Sequence, residues 1–299
     1  VVTGASDGIG RAAASAYAAA GATVVMVGRS EAKTAAAARA IMAETGRRTV
    51  SWEVADLSRQ EAVHELADRI RARCDRIDVL ANNAGALFIT RAETAEGLER
   101  TFALNHLAYF TLTLRLLDRL AAAATGRTDD PARVFCVSSR AHRDARLDFD
   151  DLQGRLDYRG WRAYANSKLL NVLFARALAT RLDPARIVVH SLHPGVVSTR
   201  FAVNNGRRGR ILRRVMDVVS ISPREGADTL VWLSSAAAAR ATTGSYWVKR
   251  ARIEPSNAAL DPQLAERAWN ESAKLSQIDA DALVAASGAA SGESSARRP

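Results

Sequence analysis

Tyr164 and Lys168 stand four residues apart in the stretch Tyr164-Ala165-Asn166-Ser167-Lys168. In a helix that spacing puts both side chains on one face. A free phenol titrates near ~10 and is a poor base at neutral pH. A nearby ammonium favours the phenolate and draws that value down, so the pair is a candidate proton-transfer device. Taken alone the pattern is weak, because such pairs also recur on solvated helix faces. The chain holds four lysines, Lys33, Lys168, Lys249 and Lys274, against a great excess of arginine. A lysine here hints at a compact ammonium whose pKa shifts readily.

Further polar candidates stand where ligands of open parallel sheets gather, outside the carboxyl ends of strands. Val134 to Val137 reads as a strand ending at Ser138-Ser139, whose hydroxyls can donate to and accept from a substrate oxygen. Ile77 to Ala81 reads as a strand running into Asn82-Asn83-Ala84-Gly85, a turn of small residues and amides suited to face a ligand. Asn105 falls inside an apolar helical stretch, Thr94 to Leu120. Such an amide costs stability unless it is satisfied, either by a role at a site or by a neighbouring carbonyl.

The elements that must position these residues begin with Val1-Val2-Thr3, the end of a buried strand. Gly4-Ala5-Ser6-Asp7-Gly8-Ile9-Gly10 follows, then an alanine-rich helix to Ala20 with Gly21 at its C-cap, then a strand over 22–27. This is a βαβ unit. Its glycines allow a tight turn and close approach of a pyrophosphate to the helix N-terminus. At the end of the second strand an acidic residue would favour NAD; Arg29 stands there instead and can pair with a 2′-phosphate, which predicts NADP(H). Asp56, at the end of the third strand (49–54), either holds the adenine amino group or caps the next helix. A sixth strand, 187–192, ends at His193-Pro194-Gly195, and Gly244 to Val248 reads as a seventh. Strands alternating with helices predict an α/β fold: one doubly wound Rossmann domain, residues 1–280, with about seven parallel strands and helices on both faces.

The formal net charge of +10 is carried almost wholly by arginine. No basic block is interleaved with aromatics for base stacking, so an arginine-rich surface with a taste for anionic ligands is preferred to nucleic-acid binding. The stretch 201–220 is arginine-rich, with apolar residues interspersed. It is read first as part of a lid and substrate region over about 195–222, and second as a membrane-surface patch. Cys74 and Cys136 show no metal-like spacing and imply neither a metal site nor a disulfide framework. A reducing, cytoplasmic setting is expected. No run approaches the ~20 apolar residues of a membrane span. The chain opens inside a strand without a methionine, which leaves an upstream anchor open. Residues 281–299 are expected to form a disordered tail.

Taken together, Thr3-Gly4-x-x-x-Gly8-x-Gly10, Asn82-Asn83-Ala84-Gly85, Asn105, Ser139, Tyr164-x-x-x-Lys168 and Pro194-Gly195 resemble the short-chain dehydrogenase/reductase family. Val137-Ser138-Ser139-Arg140-Ala141-His142 and Ser167-Lys168-Leu169-x-Asn171-x-Leu173-Phe174 look like its retinol dehydrogenase and protochlorophyllide reductase-like branch. The resemblance implies that Tyr164 exchanges a proton with the substrate oxygen. Lys168 would depress the phenol's pKa and bind the nicotinamide ribose. Ser139, chosen over Ser138 by the Ser-x-Ala pattern, would orient the substrate oxygen, and Asn105 would hold a water in a proton relay. The cofactor contacts implied are Gly4, Ser6, Asp7, Gly8, Ile9, Gly10, Arg29, Asp56, Leu57, Asn83, Ala84, Gly85, Tyr164, Lys168, Pro194, Gly195, Val197 and Thr199. An NADP(H)-dependent interconversion of an apolar carbonyl and an alcohol is expected, in a homodimer or homotetramer. A non-catalytic NADP(H) sensor or scaffold of the same fold is the alternative.

Overall fold

Strand order in the computed structural model, which describes residues 1–126, 130–195 and 221–290, is β3-β2-β1-β4-β5-β6-β7-β8. The strands are β1 (Val2–Thr3), β2 (Val24–Gly28), β3 (Val50–Val54), β4 (Val79–Asn82), β5 (Ala132–Val137), β6 (Ile187–His193), β7 (Ser245–Val248) and β8 (Ala251–Ile253). Seven run parallel, as expected. The eighth is added: β8 pairs antiparallel to β7 at the sheet edge, through a tight turn in which Lys249 and Arg250 both take positive φ. All three β8 residues are exposed, so no apolar pattern marked the strand.

Buried strands alternate their side chains between the two faces. In β5, Val134 and Cys136 enter one core while Phe135 and Val137 enter the other. The first core lies under α3 (Gln60–Arg73), α4 (residues 100–115) and α6 (Gly160–Arg181). The second lies under α1 (Gly8–Ala19), α2 (Glu31–Thr45) and α7 (Pro223–Leu233). The order reverses between β1 and β4, where a crevice opens at the carboxyl edge.

The helical stretch expected from Thr94 begins only at Arg100. Glu99 caps it, its two carboxylate oxygens accepting from the N–H groups of Thr101 and Phe102 at 2.8 Å each. From there α4 comprises Arg100–Phe102, a π turn at Ala103–Leu107 and Ala108–Arg115. After a break at Leu116, α5 covers Leu117–Ala123. The π turn carries Asn105; single π turns inside α-helices often mark functional positions.

At the C-terminal side, α8 (Pro262–Ser276) packs on α6, and α9 (Ala280–Ala286) follows. Val284 and Ala289 are buried, and Ala290 bridges to Leu182. Order therefore extends past the boundary expected at 281, because this short amphipathic helix covers apolar surface. Val197, Thr199 and most of the expected lid lie outside the described residues.

Candidate active site

Four backbone segments meet at the crevice. The turn after β1 is built by glycine: Gly4 and Gly8 have φ of 66° and 57°, and a Cβ on Gly4 would come 2.8 Å from the Cα of Ala84. Thr3 ties this turn to the one after β4. Its Oγ1 accepts from the N–H groups of Asn83 and Ala84, at 2.9 and 3.0 Å. The Asn83 side chain donates back to the Thr3 carbonyl at 2.9 Å. Thr3 was legible as the start of the glycine motif, but its tie to the second turn needs β4 beside it.

A cavity of about 710 Å³ runs along this edge. Gly4, Ser6, Asp7, Gly8, Ile9, Arg29, Asp56, Leu57, Asn83, Ala84, Gly85, Ser139, Tyr164, Lys168, Pro194 and Gly195 all line it. Gly10 and Asn105 do not. Gly10 serves packing instead: a Cβ there would sit 2.4 Å from the Gly4 carbonyl oxygen and 2.6 Å from the Asn83 amide nitrogen. Asp56 forms a turn with Ser58, its Oδ1 accepting from the Ser58 N–H and hydroxyl at 3.1 and 2.7 Å. It does not cap α3, whose N-cap is Arg59. The glycine turn, the N-terminus of α1 behind its Asp7 cap and the exposed Arg29 on the cavity lining suit a dinucleotide.

The two serines differ in direction. Ser138 is buried and donates to the Lys168 carbonyl at 2.7 Å. Ser139 faces the cavity and hydrogen-bonds the Tyr164 hydroxyl, while its Oγ accepts from the Ala141 N–H at 3.2 Å. His142 holds the Ser139 backbone. Its Nδ1–H donates to the Ser139 carbonyl at 2.7 Å, and its Nε2 accepts from the Ser256 N–H at 3.1 Å.

Tyr164 and Lys168 both project from α6 toward the sheet and both are buried. The Lys168 Nζ lies 5.6 Å from the Tyr164 ring centre and donates to the Val137 carbonyl at 3.0 Å. Burial pushes the phenol up to about 12, against a smaller pull from Ser139, and pushes the ammonium down to about 7.

The side chain of Asn105 is spent within the protein. Its Oδ1 accepts from the Ala86 N–H at 2.9 Å, and its Nδ2 donates to the Ala86 carbonyl and to the Ser167 hydroxyl, at 2.9 and 3.1 Å. This is the neighbouring-carbonyl alternative, and it shapes the turn after Gly85. Any water-holding role is left to the backbone carbonyl of Asn105, which already accepts from the Asn171 Nδ2 at 2.9 Å. Asn171, His142 and Trp161 were not singled out as site residues by sequence. Trp161 is 54% exposed, lines the cavity and lies 5.8 Å from the Tyr164 ring.

The short chain dehydrogenase family model matches residues 1–147. Human retinol dehydrogenase 13 is 34% identical over 289 residues, covering 95% of this chain and 86% of that protein. A Streptomyces sp. (strain C5) protein provisionally named as the daunorubicin C-13 ketoreductase DnrU is 38% identical over 274 residues, covering 91% and 90%. Among solved structures, an uncharacterized protein from Mycobacterium paratuberculosis superposes with a TM-score of 0.73 at 30% identity, covering 92% of each chain. The Pseudomonas aeruginosa RhlG/NADP complex superposes at 0.64 with 26% identity, covering 82% and 91%. With its glycine turn, its Ser139–Tyr164 contact and these relatives in view, the chain belongs to the short-chain dehydrogenase/reductase family, in its retinol dehydrogenase-like branch.

Proposed function

We propose that this oxidoreductase reduces a ketone or aldehyde with NADP(H), Tyr164 delivering the proton to the substrate oxygen. The observation that carries the reading is the Tyr164 hydroxyl held beside Ser139 in the same cavity that reaches Arg29 and the glycine turn. Gly4, Ser6, Asp7, Gly8 and Ile9 would hold the pyrophosphate, Arg29 the 2′-phosphate, Asp56 and Leu57 the adenine end, and Lys168 the nicotinamide ribose. When bound, the cofactor supplies the hydride. Ser139 orients the carbonyl oxygen. Tyr164, which burial pushes up to about 12, holds its proton at neutral pH and can deliver it to the substrate oxygen in reduction. Phe88, Leu104, Ala141 and Trp161 offer an apolar wall for the body of the substrate.

A reducing, cytoplasmic setting and a homodimer or homotetramer belong to the same proposal. Free Cys74 and Cys136 support the first, and family resemblance supports the second. Among the described residues, no helix is long and apolar enough to cross a membrane. The deciding experiment follows NADPH oxidation over a panel of aldehydes and ketones, with wild type and Tyr164→Phe side by side. Turnover lost in the variant supports the reading, and turnover kept overturns the role of Tyr164. NADPH binding without any turnover favours a sensor.

A further inference from the structure

Arg100 opens α4 and lines the cavity. Its guanidinium lies over the Phe88 ring, 3.8 Å from the centre. Its Nε is buried and has no hydrogen-bond partner. Among the described residues no carboxylate forms an ion pair with it. The adjacent Glu99 is already committed: its oxygens accept from Thr101 N, Phe102 N and the Tyr158 hydroxyl, the last at 3.2 Å. The buried Nε is left without an acceptor, and a ligand in the cavity can supply one.

Its position relates it to the reacting end of the cavity. A Cβ on Gly160 would touch the Phe88 carbonyl oxygen at 2.4 Å, so Phe88 packs on the first turn of α6. Tyr164 stands about one turn further along that helix, ~6 Å at 1.5 Å per residue. Arg100, over the Phe88 ring, thus lines the same cavity as the phenol. A stacked guanidinium is held flat and keeps its fork for a planar two-oxygen anion.

We propose that Arg100 is a specificity-determining residue that binds a carboxylate on the substrate, making the preferred substrate an apolar or aromatic carbonyl compound with an acidic end. The inference rests on the carbonyl-reductase reading and adds the anionic end to it. Arg140, exposed on the cavity lip, adds a general attraction for anions, and Asp144 beside it opposes this.

The test uses phenyl ketones carrying a terminal carboxylate on two to six methylenes, each paired with its methyl ester. With NADPH and wild-type protein, the best acid should exceed its ester roughly tenfold or more in kcat/KM, mostly through KM. Arg100→Gln should abolish that preference while leaving ester turnover within about threefold. Arg100→Lys should restore part of it. Equal turnover of acid and ester by wild type at every length overturns the proposal but leaves the reductase reading standing. A preference that survives Arg100→Gln and disappears in Arg140→Gln also overturns it. Calorimetric titration of the NADPH-loaded protein with 4-phenylbutyrate and 4-phenylbutyramide gives a readout that needs no turnover. The carboxylate should bind more tightly, and the difference should vanish in Arg100→Gln; no difference in wild type refutes the assignment even if the reductase reading fails.

Discussion

The side-chain amide of Asn171 donates to the backbone carbonyl of Asn105 at 2.9 Å, fastening α6 to the π turn of α4. The same Nδ2 lies 3.3 Å from the Val137 carbonyl, which also receives the Lys168 ammonium. On its other side, the Asn171 Oδ1 faces the His106 Nδ1 at 3.2 Å. Burial holds His106 down to about 4, so the ring is neutral and its Nδ1–H can serve Oδ1. Replacing Asn171 with Leu would take the side-chain donor from the Asn105 carbonyl and the partner from the His106 Nδ1, while the Val137 carbonyl would keep the Lys168 ammonium. A loss of about 1–3 kcal/mol is expected from urea unfolding. An unchanged midpoint would mean that the amide is dispensable.

Tyr164→Phe keeps the ring and its packing and removes the hydroxyl that carries the proton and bonds Ser139. The reduction rate should fall by roughly 10²–10⁴ while NADPH affinity stays within a few-fold, as read by stopped-flow absorbance and fluorescence titration.

Arg29→Asp would replace the proposed partner of a 2′-phosphate with an acceptor of ribose hydroxyls. The ratio of NADPH to NADH affinity should drop by about tenfold or more and reverse. A ratio equal to wild type would remove Arg29 from the cofactor assignment.

Lys168 bears on stability as well. Its folded pKa, about 7, lies below the ordinary lysine value of 10.5, so between those limits the unfolded chain binds more protons. Stability should therefore rise with pH across that window, by at most ~1.4 kcal/mol per unit for this one group. Lys168→Met should flatten the rise between pH 7 and 10, measured by denaturant unfolding at several pH values. A slope identical to wild type would show that the ammonium is better solvated than its burial suggests.

Gly10→Ala places a methyl 2.4 Å from the Gly4 carbonyl oxygen. Since Gly10 does not line the cavity, the damage should appear first as lost stability, about 1–3 kcal/mol, in thermal unfolding of the protein without cofactor. If only cofactor affinity changed, Gly10 would belong with the binding residues after all.

The alternation of short β-branched runs with helical periods determined the doubly wound sheet, because period and length are local properties. Glycine at 4 and 8 marked the tight turn, since only glycine takes positive φ there without strain, and residue type with spacing set Ser139, Tyr164 and Lys168 apart. The π turn at Asn105 and the helix at 280–286 were not legible, because each owes its shape to a neighbour distant in sequence, and β8 was not legible because its three exposed residues carry no apolar pattern. Tertiary structure alone decided that Ser138 turns inward and Ser139 toward the phenol, and that Gly10 packs a helix rather than lining the cavity. Only burial, a property of the assembled core, could raise the phenol and lower the ammonium. Spacing along a helix brings Tyr164 and Lys168 together, but the solvent excluded around them sets which one holds its proton.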